Sequence, residues 1–195
     1  MRRKLKVLFI STIIIISIIG IIVVAEKILE KNNTGIKEII DNIAQKEETT
    51  TEDPFLLSDE VIKNYLTPNE YSRPGKELKE VNAIVVHYVG NPGTTAAQNR
   101  SYFENLKDTH ATSASSHYII GMEGEIIQCV PLNEISYASN NRNKDTIAIE
   151  CCHPDETGQF TTATYKSLVK LVAALCRTYD LDPETGIIRH YDVTG

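Results

Sequence analysis

Three side chains carry the clearest chemical potential in this 195-residue sequence: His87, Glu150 and His190, closing the short apolar runs AIVVH, TIAIE and GIIRH. Strand ends beside loops are where open sheets build their sites, so the three can converge although they lie far apart along the chain. Two neutral imidazoles suit zinc. A catalytic zinc wants three protein ligands and one open position for water, whose pKa it lowers to near 7. A carboxylate that is not itself a ligand can take the proton as that water attacks a carbonyl. On spacing alone the set is a weak signal, because five histidines offer many distant pairs. Four more residues are candidates by position. His117 opens the strand-like HYIIG, His153 follows Glu150 into a loop, and Asn141 and Arg142 sit in a polar loop ahead of the Glu150 strand. A structural role for His117 and a solvated one for His153 stand beside the site roles; His110, in DTHATSASS, reads as surface.

Local patterns place these residues on elements. VNAIVVHY, 81–88, is β-branched and bounded by GNPGTT, the mark of a strand buried on both faces that ends in a loop. Thr94 or Thr95 can cap a helix running to about Lys107, with Tyr102, Phe103 and Leu106 on its apolar side. HYIIG and EIIQCVP form a hairpin over 117–131, and TIAIE, 146–150, a further strand. From Ala163 to Tyr179, Leu168, Val169, Leu171, Val172, Leu175 and Cys176 recur at three- and four-residue spacings, which predicts an amphipathic helix ended by Asp182-Pro183. GIIRHY reads as a last short strand. Strands interleaved with helices predict an α/β domain with a mixed central β-sheet flanked by helices. By strand alternation, Tyr88 and Tyr191 are expected to turn away from the histidines they follow, into the core or a supporting place behind the site, instead of forming substrate platforms.

The first 25 residues are of another kind. Residues 7–25 carry no charge and as a helix would span about 28 Å, enough to cross a bilayer. Arg2, Arg3, Lys4 and Lys6 precede the run and Lys27 is the first basic residue after it, so the remainder is expected outside the cytoplasm. A transmembrane signal-anchor and a cleaved signal peptide ending near Val23 and Ala25 both fit. Residues 26–57 turn polar, through KEETTTEDP, and read as a linker between 1–25 and a folded domain over 58–195. Of 20 basic and 26 acidic residues, the four basic ones near the N-terminus stand apart, which leaves residues 26–195 at a formal −10. That excess excludes a nucleic-acid role, which needs clustered Lys and Arg. Cys129, Cys151, Cys152 and Cys176 fit small buried hydrophobes better than a disulfide framework, since adjacent Cys151 and Cys152 face opposite sides of a strand.

IVVHYVGNPGTT, ASSHYIIGMEGEIIQCVP, DTIAIECCHPD and IIRHYDVTG, in this order, resemble the zinc-dependent N-acetylmuramoyl-L-alanine amidases over residues 60–195. The resemblance implies a fold shared with phage amidases and peptidoglycan recognition proteins. It also implies hydrolysis of the amide joining N-acetylmuramic acid to the L-alanine of the peptidoglycan stem peptide. His87 and His190 match the family's first two zinc ligands, and Glu150 its general base. Substrate contacts would fall to His117, Asn141, Arg142 and His153. The family's third ligand, with an assisting lysine, follows the position matching Gly195, so the domain is expected to be incomplete at its C-terminus. Cys129, Cys151, Cys152 and Asp192 do not match that position. The expected protein is a monomeric cell-wall hydrolase, outside the cytoplasm and tethered through its N-terminal helix or secreted. Its rival is a peptidoglycan-binding module without catalysis, and a disulfide-rich adhesion domain is a third possibility.

Overall fold

The computed structural model describes residues 52–194. The expected membrane-crossing run and residues 26–51 of the expected linker lie outside the described residues. Among those described, no helix is long and apolar enough to cross a membrane.

Six strands make one sheet: β1 (Val61–Lys63), β2 (Ala83–Tyr88), β3 (Tyr118–Ile120), β4 (Ile126–Gln128), β5 (Thr146–Cys151) and β6 (Ile187–Arg189), in the spatial order β1-β4-β3-β5-β2-β6. The hairpin pair β3 and β4 is antiparallel and every other neighbour is parallel, so the sheet is mixed as expected. β1, three residues long, has no counterpart in the sequence patterns; too short to show a period, it is held by pairing with β4.

Helix α1 (Ala96–Thr109) starts in a reciprocal capping box, Thr95 accepting from the Gln98 N–H while the Gln98 side chain accepts from the Thr95 N–H. Helix α2 (Thr162–Tyr179) starts on Thr161, whose hydroxyl accepts from Thr164 N–H. Both end on a left-handed residue, His110 and Asp180. The predicted stripe of α2 is real, with Leu168, Leu171, Val172, Leu175 and Cys176 buried against Ile84, Ile147 and Ile149; Val169, at the stripe's margin, is half exposed. On the other face α1 sends Ala96, Phe103 and Leu106 against Ile119, Ile127, Val89 and Cys152. The helix packs on β3 and β4, so β2 and β5 on that face are free to carry polar groups.

The folded unit begins earlier than the sequence suggests. Residues 54–57 form a 3-10 turn whose Leu56 is fully buried, and Asp53 takes an ion pair from Arg177 while its N–H donates to Thr178 Oγ1. The polar residues just before this turn hide the boundary, because a single buried leucine leaves no periodic signal. All four cysteines are free and buried, in keeping with their reading as small hydrophobes; no disulfide forms among the described residues.

Candidate active site

Register explains why the three chemical residues meet. β2 and β5 pair in parallel with His87 opposite Glu150, and β6 pairs with β2 with Arg189 opposite Val86. Residues paired across a sheet share a face, so His87 and Glu150 point the same way, and one step past β6 the chain enters helix α3 (His190–Thr194), carrying His190 to the same level. The result is a row across three adjacent strands. His190 Nδ1 lies 2.8 Å from His87 Nδ1, with the rings nearly perpendicular. Glu150 Oε1 is 4.0 Å from His87 Nδ1.

Burial sets the electrostatics. The His87 side chain is 5% exposed, and burial, reinforced by His190, pushes its pKa down to about 4, so its ring can present a lone pair at neutral pH. Glu150 is 17% exposed, its Oε2 is buried without a hydrogen-bond partner, and burial pushes its pKa up to about 8. A buried carboxyl oxygen with no partner is uncommon in native proteins, and a catalytic role is one of the reasons for which such a group is kept.

The donor set fits a metal ion. Two imidazole nitrogens of the same type converge, and on a tetrahedral zinc at about 2.0–2.1 Å they would stand about 3.3 Å apart, so the pair need open by only about half an ångström. Among the described residues no group of three His, Cys, Asp or Glu side chains gathers to hold a metal. The residues weighed as substitutes are committed elsewhere. Cys129, Cys151 and Cys152 are enclosed in the core, and the Asp192 carboxylate is held down to about 2 by its hydrogen bonds with Arg189.

The remaining candidates fare differently. His117 is fully enclosed, with Nδ1 accepting from Ala148 N–H and lying 3.0 Å from Ser136 Oγ, and Nε2 2.9 Å from the Glu134 carbonyl. It ties β3 to β5 and offers nothing to a substrate, which corrects the expected contact; a polar residue opening a strand gives no sequence cue to which side it faces. His153 is also buried, Nε2 2.8 Å from the Val89 carbonyl and Nδ1 2.7 Å from that of Asp155. It braces the loops that follow β2 and β5, which corrects the expected solvated position. Asn141 and Arg142 lie on a 3-10 turn, Asn140–Arg142, with Asn141 exposed and Arg142 bound through Nε to Asp145.

Burial of His117 has a measurable consequence. Its pKa is pushed down to about 4, below the 6.5 of an exposed histidine, so the unfolded chain takes up a proton that the native protein refuses. The stability it contributes is complete above pH 6.5 and is lost as pH falls toward 4, amounting to about 3 kcal/mol at about 1.4 kcal/mol per pH unit. Urea unfolding of wild type and His117→Gln between pH 7 and pH 4.5 should therefore give a shallower acid loss in the variant; parallel curves would remove His117 from the acid response.

Tyr88 and Tyr191 are 65% and 69% exposed, contrary to their expected place in the core: Tyr88, still paired with Cys151, is the last residue of its strand, and Tyr191 lies on helix α3, where strand alternation does not apply. With Phe160, Arg189 and the two histidines they line a cavity of about 670 Å³. A second cavity of about 490 Å³ shares Tyr88 and Gly90 and continues past His153. Sequence reasoning also missed Ser139, fully buried with Oγ 3.2 Å from His87 Nε2. No motif marks it; the one available hint was its place in the polar loop ahead of β5.

Comparison with known proteins agrees with this geometry. Residues 77–195 match the family model described as N-acetylmuramoyl-L-alanine amidase. N-acetylmuramoyl-L-alanine amidase CwlL of Bacillus licheniformis is 34% identical over 148 residues, covering 69% of this chain and 40% of the relative. Among solved structures, PlyL superposes with a TM-score of 0.58 at 21% identity, covering 69% of this chain and 83% of PlyL. Drosophila peptidoglycan recognition protein SD gives 0.56 at 12% identity, covering 68% and 85%. The chain belongs to the N-acetylmuramoyl-L-alanine amidase family, and its fold is the one these amidases and recognition proteins share. It spans about two fifths of the length of the curated relative.

Proposed function

We propose that this protein hydrolyses the amide between N-acetylmuramic acid and the L-alanine of the peptidoglycan stem peptide, as a zinc enzyme working outside the cytoplasm. The observation that carries the reading is the convergence of His87 Nδ1 and His190 Nδ1 beside a buried carboxyl group with an unpartnered oxygen, in a chain of this family. Zinc held by His87 and His190, together with a third donor, would supply a water of lowered pKa and polarise the scissile carbonyl. Glu150 does the proton work. Its carboxylate takes the proton of the attacking water, and the resulting acid returns it to the leaving alanine nitrogen, for which a pKa near working pH is well matched. A cation beside it would draw that pKa down and favour the base form. His87, its pKa pushed down by burial, stays neutral through the cycle, and the cavity beside Tyr88, Tyr191 and Phe160 offers aromatic surface to a muramyl sugar.

The residues before the folded unit support a site of action outside the cytoplasm. The uncharged run 7–25 behind a basic N-terminus supports a membrane tether or export signal, and the polar stretch after it supports a reach into the wall. The binding-module reading rests on the described residues supplying two convergent metal donors instead of three. Digestion of a muramyl-tripeptide separates the two: equal amounts of free muramyl lactyl carboxyl and of peptide beginning with L-alanine, identified by mass spectrometry, are expected. Intact substrate recovered from a zinc-supplemented, folded sample would leave binding alone.

A further inference from the structure

We infer that His153 stands as an imidazolium donating from both ring nitrogens, a positioning residue that holds the loops after β2 and β5 at the spacing that shapes the cavity beside the reacting row. Its two partners decide the proton count. Nε2 lies 2.8 Å from the Val89 carbonyl and Nδ1 2.7 Å from the Asp155 carbonyl, in a residue that is 2% exposed. A carbonyl oxygen only accepts, and a neutral imidazole has one N–H to give, so a neutral ring would set a nitrogen lone pair against an oxygen lone pair at one of these contacts. With a proton on each nitrogen, both contacts are charge-assisted hydrogen bonds and no ring nitrogen is left unpaired. His117 makes the contrast: its Nδ1 accepts from the Ala148 N–H and its Nε2 meets a carbonyl, so one proton satisfies it.

The surroundings suit a cation. In the loop after β5, bonds from the Thr157 hydroxyl and N–H hold the Asp155 carboxyl below its usual range, with His153 a smaller contributor. Glu156 stands on the wall of the same cavity. From β2, the Tyr88 ring meets the imidazole nearly perpendicular at 5.4 Å. Cys152, its chain neighbour, takes a hydrogen bond from Asn99 of α1. Residues 90–93 of the loop after β2 and residues 96–99 of the first turn of α1 carry no ionisable side chain. Acidic groups and no basic one therefore face the ring. The backbone already ties the two loops, Val89 N–H donating to the Cys151 carbonyl at 3.0 Å and Gly93 N–H to that of His153 at 2.8 Å. The ring adds a bond across to the β2 loop through Nε2 and a bond across the turn of its own loop through Nδ1. The cavity of about 490 Å³ lies along these loops, and Tyr88 and Gly90 line both it and the cavity that holds His87 and His190. Its bearing on catalysis rests on the amidase reading, whereas the charge of the ring does not.

Long-range ¹H–¹⁵N correlation of wild-type protein at pH 7.5, about one unit above the value of an ordinary histidine, reads the ring directly. Both His153 nitrogens are expected to carry a proton and to resonate close together; one bare nitrogen, shifted far from the other, overturns the inference. His153→Asn keeps an amide near the place of Nδ1 and His153→Gln one near Nε2, so each variant loses one of the two bonds. In each, KM for a muramyl-tripeptide should rise about tenfold or more, the worth of one hydrogen bond to a charged group, while kcat holds. KM unchanged in both variants, or kcat falling with KM unmoved, overturns the positioning role. Circular dichroism confirms that the compared samples are folded, and the ring protons are read without any variant. Should wild type cleave nothing, the amidase reading fails by itself; the ring protons still decide the charge, and the Kd of the same tripeptide takes the place of KM.

Discussion

Glu150→Gln should reduce amide hydrolysis by about 10²–10⁴-fold, the contribution of a positioned general base, while binding to insoluble peptidoglycan stays close to wild type. Glutamine keeps the shape and loses the ability to accept a proton, so KM is expected to hold while kcat falls. The same variant should make the metal-free protein more stable at alkaline pH. Burial raises the Glu150 pKa to about 8 from 4.5, so the unfolded chain ionises first; the wild-type carboxyl contributes its full share below pH 4.5 and that share is lost as pH rises through 8. At about 1.4 kcal/mol per pH unit the gain on substitution is a few kcal/mol near pH 8. Urea midpoints at pH 5 and pH 8 measure it. A variant that cleaves like wild type would remove Glu150 from the mechanism, and one equally destabilised at both pH values would show that its burial is not the source of the shift.

The second large effect concerns the histidine pair. His87→Ala should weaken zinc binding by more than the roughly 10–100-fold expected from an outer-shell change, because a ligand itself is gone. Hydrolysis should fall with it, and added zinc should recover little. Truncating a ring that is 6% exposed also leaves a void, with a stability loss on the order of 2–5 kcal/mol, so affinity is to be compared in samples shown to be folded. His190→Ala, at a less buried position, should lose the ion with a smaller cost in stability. Zinc affinity unchanged in both variants would place the ion elsewhere.

How far the sequence carries this picture differs between its layers. β2, β5 and α2 were legible because each has a pattern longer than its noise: a β-branched run ending in His87, another ending in Glu150, and seventeen residues of helical period. The site followed from them, since the register of parallel strands brings His87 and Glu150 side by side once both are known to end their strands. His117 and His153 could not be placed, because burial of a single polar residue is decided by what loops over it, here the carbonyls of Glu134, Val89 and Asp155. Ser139 was invisible for the same reason, as its meaning lies in one contact with a residue far along the chain. Tyr88 and Tyr191 were misplaced because strand alternation does not set the exposure of the last residue of a strand, and does not apply on the short helix that carries Tyr191.

The most direct measurement is the zinc dependence of amide cleavage by the wild-type protein. New amino groups and free lactyl carboxyls would be counted from purified peptidoglycan with chelated protein and with the same protein after zinc is restored. The expected result is release that disappears on chelation, returns with zinc, and does not return for Glu150→Gln. Release at the same rate from thoroughly chelated protein, or none from folded, zinc-loaded wild type, would contradict a zinc amidase built on His87, His190 and Glu150.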